Sequence, residues 1–366
     1  MRIAIDASRT TRPQRTGTEN YALQLIRAIL ERQPPHQIDL YFRDTPAPDL
    51  FTQTPNVTEH SLPWPRMWTH LRFAAALWRT RPDVTWVPAH TLPRFFPGRA
   101  VVTVHDLGYV HFPDAHPPNE RRYLDWSTRY SAQRATRIMA DSQATKDDLC
   151  AHYRIEAEKI HVVYPGHDTT LNRVDDLAQL EATRARYGLP AKYFLFIGTL
   201  QPRKNIGRLV RAFGQWRAHS GRDDIVLALG GKPGWLYNPA WTHDAPGVVE
   251  LGYVADEDLD ALYSGAWGFV FPSLYEGFGF PVLEAMRCGT PVLCSNTSSL
   301  PELAGAAALL VDPLDVDAIA AGLDRLAEDE TLRANLAAQG YEQVKRFTWK
   351  KAAQQALHVL EEATHA

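Results

Sequence analysis

Phe269–Glu284 reads FVFPSLYEGFGFPVLE. Its apolar start, Phe269 to Phe271, is bounded by Pro272 and Ser273, the pattern of a short buried strand. Glu276, Gly277, Phe278 and Gly279 follow as a loop. Pro281 suits the first turn of a helix, where backbone donors lack partners in any case. Glu284 then lies about one turn inside that helix. Strand, glycine loop and helix in succession are the building unit of a parallel α/β sheet. Backbone N–H groups at such a junction can hold an anion, and glycine lets a ligand approach. The two carboxylates are eight positions apart. Alone they read first as solvated charges on a tight turn, because so short a match is cheap.

Working outward, the same alternation fills the second half of the chain. Tyr193 to Gly198 is a strand, followed by the loop TLQPRKN with Asn205 as a helix N-cap. The helix Ile206 to His219 carries Leu209, Val210, Phe213 and Trp216 on one face. Arg203 and Lys204 thus stand just before a helix N-terminus. Two cations beside orphan backbone donors suit phosphate oxygens, with a solvated basic turn as the plain alternative. Further strands are expected at Ile225–Gly231, Val248–Val254, Pro291–Cys294 and Leu309–Val311, and helices at Asp315–Ala327, Thr331–Arg346 and Trp349–Thr364. The GGKPG run is no Walker loop, because G-x4-G-K-[ST] is missing.

The first half begins with a strand, Arg2–Asp6, then the polar loop ASRTTRPQRTG and a helix that Thr18 would cap. The G-x-G-x-x-G fingerprint is absent. Strands are expected near Ile38–Phe42, Val84–Pro88, Arg99–Val104, Arg137–Ala140 and Glu158–Tyr164, and residues 45–65 read as a surface loop. His105-Asp106 falls just past a strand, where open α/β sheets bind ligands, with a structural histidine as the plain alternative. Asp141-Ser142 reads as a helix cap. Trp64–Arg81, WPRMWTHLRFAAALWRTR, is an amphipathic helix whose Trp and Arg suit either packing on the sheet or a lipid interface.

Composition sets the outer bounds. At 366 residues two domains are expected, and 45% hydrophobic with 22% charged residues is a globular balance. The three cysteines, Cys150, Cys288 and Cys294, form neither a disulfide framework nor a metal cluster and fit a reducing compartment. Residues 1–20 lack the apolar core of a signal peptide, and no apolar run approaches a membrane span. Residues 1–165 carry 21 Lys and Arg against 17 Asp and Glu, and the remainder 18 against 25. That bias suits an anionic acceptor or membrane surface and is too small for nucleic acid.

Five segments in order now make a resemblance specific: IDASRTTRPQRTGTENY, VVTVHDL, FIGTLQPRKN, LGYV, and FVFPSLYEGFGFPVLEAMRCGTPVLCSN. Across nearly the whole chain they resemble the retaining GT-B glycosyltransferases of family 4, whose signature is a pair of glutamates at the spacing of Glu276 and Glu284. The resemblance implies an α/β fold of two Rossmann-like domains with parallel sheets facing across a cleft. Residues 1–165 would form the N-terminal acceptor-side domain and 166–348 the nucleotide-sugar-binding domain. A final helix, 349–366, would cross back to the N-domain.

The resemblance also implies roles. Gly17 would let its loop approach the donor. His105 and Glu276 would be the catalytic positions beside the transferred sugar, with Gly277, Phe278 and Gly279 presenting backbone there. Arg203 and Lys204 would bind the diphosphate, Glu284 the ribose hydroxyls, and Val254 would lie by the base. No metal or other cofactor is expected. The implied reaction moves a hexose, with mannose from GDP-mannose foremost, to a glycan or polyprenyl-diphosphate-linked acceptor in surface polysaccharide biosynthesis. The implied location is cytoplasmic, with peripheral contact at the inner face of the cell membrane. A nucleotide-sugar epimerase, a phosphorylase and a non-catalytic nucleotide-sugar-binding protein are the alternatives. A phosphorylase would need a pyridoxal lysine and a much longer chain.

Overall fold

A computed structural model describes residues 1–12, 17–52 and 54–366. Residues 13–16 of the first loop therefore lie outside the described residues. The chain divides into two compact units. One comprises Met1–Val110, Pro118–Gly166 and Phe347–Ala366; the other comprises His111–Pro117 and His167–Arg346.

The first unit is built on seven strands: β1 (Arg2–Asp6), β2 (Gln37–Phe42), β3 (Val57–Ser61), β4 (Val84–Val87), β5 (Arg99–Val104), β6 (Arg137–Ala140) and β7 (Ile160–Val162). All pair parallel, in the order β3-β2-β1-β4-β5-β6-β7. Both faces are covered, as parallel sheets require. Ile3 and Ile5 of β1 point into one layer with Tyr21, Ile26 and Trp86, while Ala4 points into the other with Phe73 and Leu77. The final helix, Trp349–His365, lies in the first layer, where Ala352, Ala353, Ala356 and Leu360 pack against the helix Gly17–Glu31. Its small residues let two helices approach closely. The chain crosses itself tightly at this point, since a Cβ on Gly166 would sit 2.2 Å from the Trp349 backbone nitrogen.

Strand β3 contradicts the reading of residues 45–65 as loop. VTEHS pairs along β2 at the sheet edge with no fully buried residue. An edge strand half in water carries no apolar run, so its hydrogen bonds leave no periodic mark in the sequence. The helix Gly17–Glu31 starts one residue before Thr18, which therefore lies inside it and is not its cap.

The second unit repeats the plan with six parallel strands: β8 (Lys192–Ile197), β9 (Ile225–Gly230), β10 (Val248–Gly252), β11 (Gly268–Phe271), β12 (Val292–Ser295) and β13 (Ala308–Val311). Their order is β10-β9-β8-β11-β12-β13. In each unit the strand order reverses once, between β1 and β4 and between β8 and β11. Loops leaving such a pair diverge to opposite faces and open a crevice at the carboxyl ends of the strands. No helix among the described residues is long and apolar enough to cross a membrane.

Candidate active site

In the second unit the reversal brings together residues about seventy positions apart. The β8 loop runs into a short turn, Pro202–Lys204, and then the helix Ile206–Ser220. The β11 loop carries Glu276. Lys204 Nζ donates to Glu276 Oε1 at 2.6 Å, and Arg203 donates to Glu276 Oε2 at 3.0 Å and to the Tyr275 carbonyl. All three side chains are at most 15% exposed. Burial alone would push the Glu276 carboxyl up, but the charges of Arg203 and Lys204 outweigh it and hold the group below its ordinary range. The Lys204 ammonium also lies 4.8 Å over the Phe271 ring.

The backbone around Glu276 is fixed from β12. The Glu276 N–H donates to Ser298 Oγ at 3.0 Å. The Ser299 hydroxyl donates between the carbonyls of Glu276, at 3.0 Å, and Phe278, at 2.7 Å. Gly279 has φ +114° and stands at the N-cap of the helix Phe280–Arg287, with Pro281 in its first turn. Asn205 does occupy an N-cap position, but in the left-handed region (φ 62°) and with no side-chain cap bond. Its amide instead donates to the carbonyls of Pro272 (2.9 Å) and Pro313 (2.7 Å), tying the β8 loop to the ends of β11 and β13.

Glu284 makes no bond to this cluster. Its Oε2 accepts from the Tyr263 hydroxyl at 2.9 Å. Burial of the carboxyl, reinforced by Asp168 and Asp256 and opposed by the Tyr263 bond, pushes it up to about 7. Val254 is buried just past β10, which ends at Gly252 and not at Val254 as expected. Three D-x-D spacings, Asp256 to Asp258, Asp258 to Asp260 and Asp315 to Asp317, each include a carboxylate that is already engaged. Asp258 accepts from Arg186 and Tyr187, and Asp315 caps the helix Val316–Glu328. An open groove of about 960 Å³ sits at the amino ends of β11 and β12, beside Trp267 and Pro291, and includes none of the expected site residues.

In the first unit, titratable groups gather at the carboxyl ends of four neighbouring strands, Asp6 at the end of β1, His90 after β4, His105 after β5 and Asp141 after β6. His105 Nδ1 lies 2.6 Å from Asp141 Oδ2, and Nε2 lies 3.3 Å from the Pro88 carbonyl. Both partners offer acceptor oxygens, an arrangement that favours a proton on each ring nitrogen and hence the imidazolium form. Burial opposes that charge, but Asp141 outweighs it and raises His105 above its usual value. Burial likewise raises Asp141. The neighbouring His90 ring, centred 5.4 Å away, is driven down to about 3 by burial and by the His105 charge, and stays neutral. Tyr21 meets His105 edge-on at 4.8 Å. Gly17 is the exposed first residue of its helix.

Sequence reasoning missed Asp141, Tyr263, Ser298 and Ser299 as parts of these sites. Asp141-Ser142 was expected to cap a helix; Ser142 alone does so, accepting from the Thr145 N–H, which leaves Asp141 for His105. Its signal was position, one residue past a strand, as His105 is past the next. His111, in the short segment that packs with the second unit, stacks on Tyr275 at 4.8 Å and had no sequence signal at all.

Two family models match the chain in succession, Glycosyltransferase Family 4 over residues 15–171 and Glycosyl transferases group 1 over residues 181–343. O-antigen chain mannosyltransferase B of Escherichia coli is 38% identical over 271 residues, 71% of this chain and 69% of that protein. The chain belongs to glycosyltransferase family 4. The serotype-specific mannosyltransferase WbdA of the same organism is 31% identical over 74% of this glycosyltransferase, though the match spans only 34% of WbdA. Among solved structures, sucrose-phosphate synthase from Thermosynechococcus elongatus superposes with a TM-score of 0.75 at 22% identity, covering 99% of this glycosyltransferase and 98% of that chain. At that identity the likeness concerns the GT-B fold.

Proposed function

We propose that this glycosyltransferase moves mannose from GDP-mannose to a growing glycan or a polyprenyl-diphosphate-linked acceptor in surface polysaccharide biosynthesis, with retention at the anomeric carbon and without a metal. The sugar follows from the mannosyltransferase relatives. The chemistry follows from one observation: Arg203, Lys204 and Glu276 form a single buried cluster at the switch point of a parallel sheet, with Lys204 next to the N-cap of the helix Ile206–Ser220.

Breaking the anomeric C–O bond builds negative charge on the departing diphosphate and positive charge on the sugar. A guanidinium with five donors, an ammonium with three and the N–H groups of the following helix can stabilise the diphosphate while keeping bonds to Glu276. Glu276 holds both cations in place before the donor arrives, so little reorganisation is needed when charge develops. Its carboxylate stays ionised and accepts hydroxyls of the transferred sugar. Gly277, Phe278 and Gly279 present backbone beside it. Glu284 takes the ribose hydroxyls, and the base lies by Val254. His105, oriented by Asp141 at Nδ1, turns its Nε2–H from the long 3.3 Å contact with the Pro88 carbonyl toward the sugar, and Gly17 keeps its loop end clear. The two glutamates do not share acid–base work as in a glycosidase, because Glu284 is committed to the ribose and Glu276 alone lies by the sugar. The proposed setting is the inner face of the cell membrane, where a lipid-linked acceptor would be met.

A panel of nucleotide sugars with a simple lipid or sugar acceptor, scored by mass spectrometry in EDTA, tests the reading. It expects a mannosylated product from GDP-mannose with the anomeric configuration kept. Transfer only from another donor, inversion, or activity restored solely by added Mg²⁺ would each contradict it.

A further inference from the structure

The first unit carries an exposed aromatic surface that the proposed chemistry does not use. The amphipathic segment expected at 64–81 folds as a helix only over Thr69–Thr80. One face does pack, with Phe73 and Leu77 buried in the core. The other face is bare, with Leu71 and Trp78 each 52% exposed and Trp64, in the approach to the helix, 46% exposed. Two further segments continue it. The loop before β5 adds Phe95 at 69% exposed, and the helix Pro118–Arg134 adds Tyr123 and Trp126.

These segments are in mutual contact. The His70 ring lies 6.4 Å from Trp126, and His70 Nδ1 accepts from the Arg94 N–H at 3.2 Å. Tyr130 donates back to the Pro93 carbonyl at 3.4 Å, and Arg134 lies 4.4 Å over Phe96. Of fourteen large hydrophobic side chains exposed among the described residues, seven fall in these three stretches. The stretches 62–81, 91–99 and 118–134 carry ten arginines against two acids, in a chain whose net charge is −3. Lysine is absent from all three.

We propose that this surface docks on an anionic lipid bilayer, with Trp64, Leu71, Trp78 and Phe95 entering the interface and the arginines meeting lipid phosphates. Tryptophan and tyrosine are amphipathic and settle at headgroup depth, while arginine carries an apolar stem and a fork that fits phosphate. A soluble surface has no use for so many exposed large apolar groups in one place. The excess of positive charge selects a negatively charged partner. This deepens the acceptor half of the proposed function, since a lipid-linked acceptor would be met at such a surface.

The test is flotation of the full chain with phosphatidylcholine vesicles, with and without phosphatidylglycerol. Two double variants on the bare helix face accompany it, Leu71→Ser with Trp78→Ser, and Arg72→Glu with Arg79→Glu. The wild type is expected to float with the anionic vesicles, and each variant to lose at least about tenfold of that binding. Added salt should weaken what the arginines contribute. All three proteins should bind nucleoside diphosphate alike, which separates failure here from failure of the donor site. No binding to anionic vesicles, or equal binding by the variants, overturns the proposal. A concentration-dependent dimer without lipid, lost in Leu71→Ser with Trp78→Ser, would assign the surface to a second copy and overturn it as well.

Discussion

Glu276 is the residue on which the donor site turns, and its neighbours change what its removal should do. It pairs with two buried cations at once. Taking the charge away frees Arg203 and Lys204 for the diphosphate, so Glu276→Gln should bind nucleoside diphosphate as well as the wild type or better. Turnover should still fall by about a hundredfold, because the acceptor for the sugar hydroxyls is lost. Titration calorimetry beside initial rates checks this; parallel loss of both would place Glu276 away from the sugar. Asp141 acts through His105. A histidine raised by a partner keeps its proton to higher pH and loses it as pH rises through the raised value. Asp141→Asn removes the charge that opposes burial, so the high-pH limb of the rate profile should move to lower pH. Unchanged limbs would show that His105 does not act as the imidazolium. The spacing of Glu276 and Glu284 was legible in the sequence, as were Arg203 and Lys204 before a helix. That Glu276 binds both cations was not, because the chain alone does not say which loops leave neighbouring strands.

At the scale of elements, the strand–loop–helix of 268–287 works because each backbone requirement has a local answer. Pro281 accepts a position without a donor, Gly279 supplies the positive φ that aims the helix, and Ser298 and Ser299 take up the loop's polar groups. Gly279→Ala would force φ +114° on an L-residue and bring its Cβ to 2.7 Å from Leu300. It should destabilise the fold by about 1–3 kcal/mol, read as a lower urea midpoint. A midpoint equal to the wild type would mean that the loop relaxes freely. Strands with apolar runs, such as β5 and β6, were placed to the residue by the sequence. The edge strand β3 was not, because half-exposed pairing needs no hydrophobic pattern. Asn205 shows the opposite failure. Its residue type and position both said N-cap, yet its amide bridges Pro272 and Pro313 instead, a tertiary demand that local propensity cannot anticipate.

For the molecule as a whole, two parallel sheets with one order reversal each explain why chemistry-bearing residues gather where they do. Loops from β8 and β11 leave neighbouring strand ends at the reversal and line the same crevice, and those loops carry the cations and the carboxylate. Alternating strands and helices in the sequence were enough to call this fold class. The return of the final helix to the first unit was legible only through family resemblance, since Ala352, Ala353 and Ala356 mark a close-packed helix without naming its partner. The central claim is that the cluster after β8 holds the donor diphosphate. It is tested most directly by measuring nucleoside diphosphate affinity of the full chain against Arg203→Ala with Lys204→Ala. Loss of two charge-assisted contacts predicts binding weaker by at least about a hundredfold, with the fold intact by circular dichroism. Unchanged affinity in a folded variant would contradict the account.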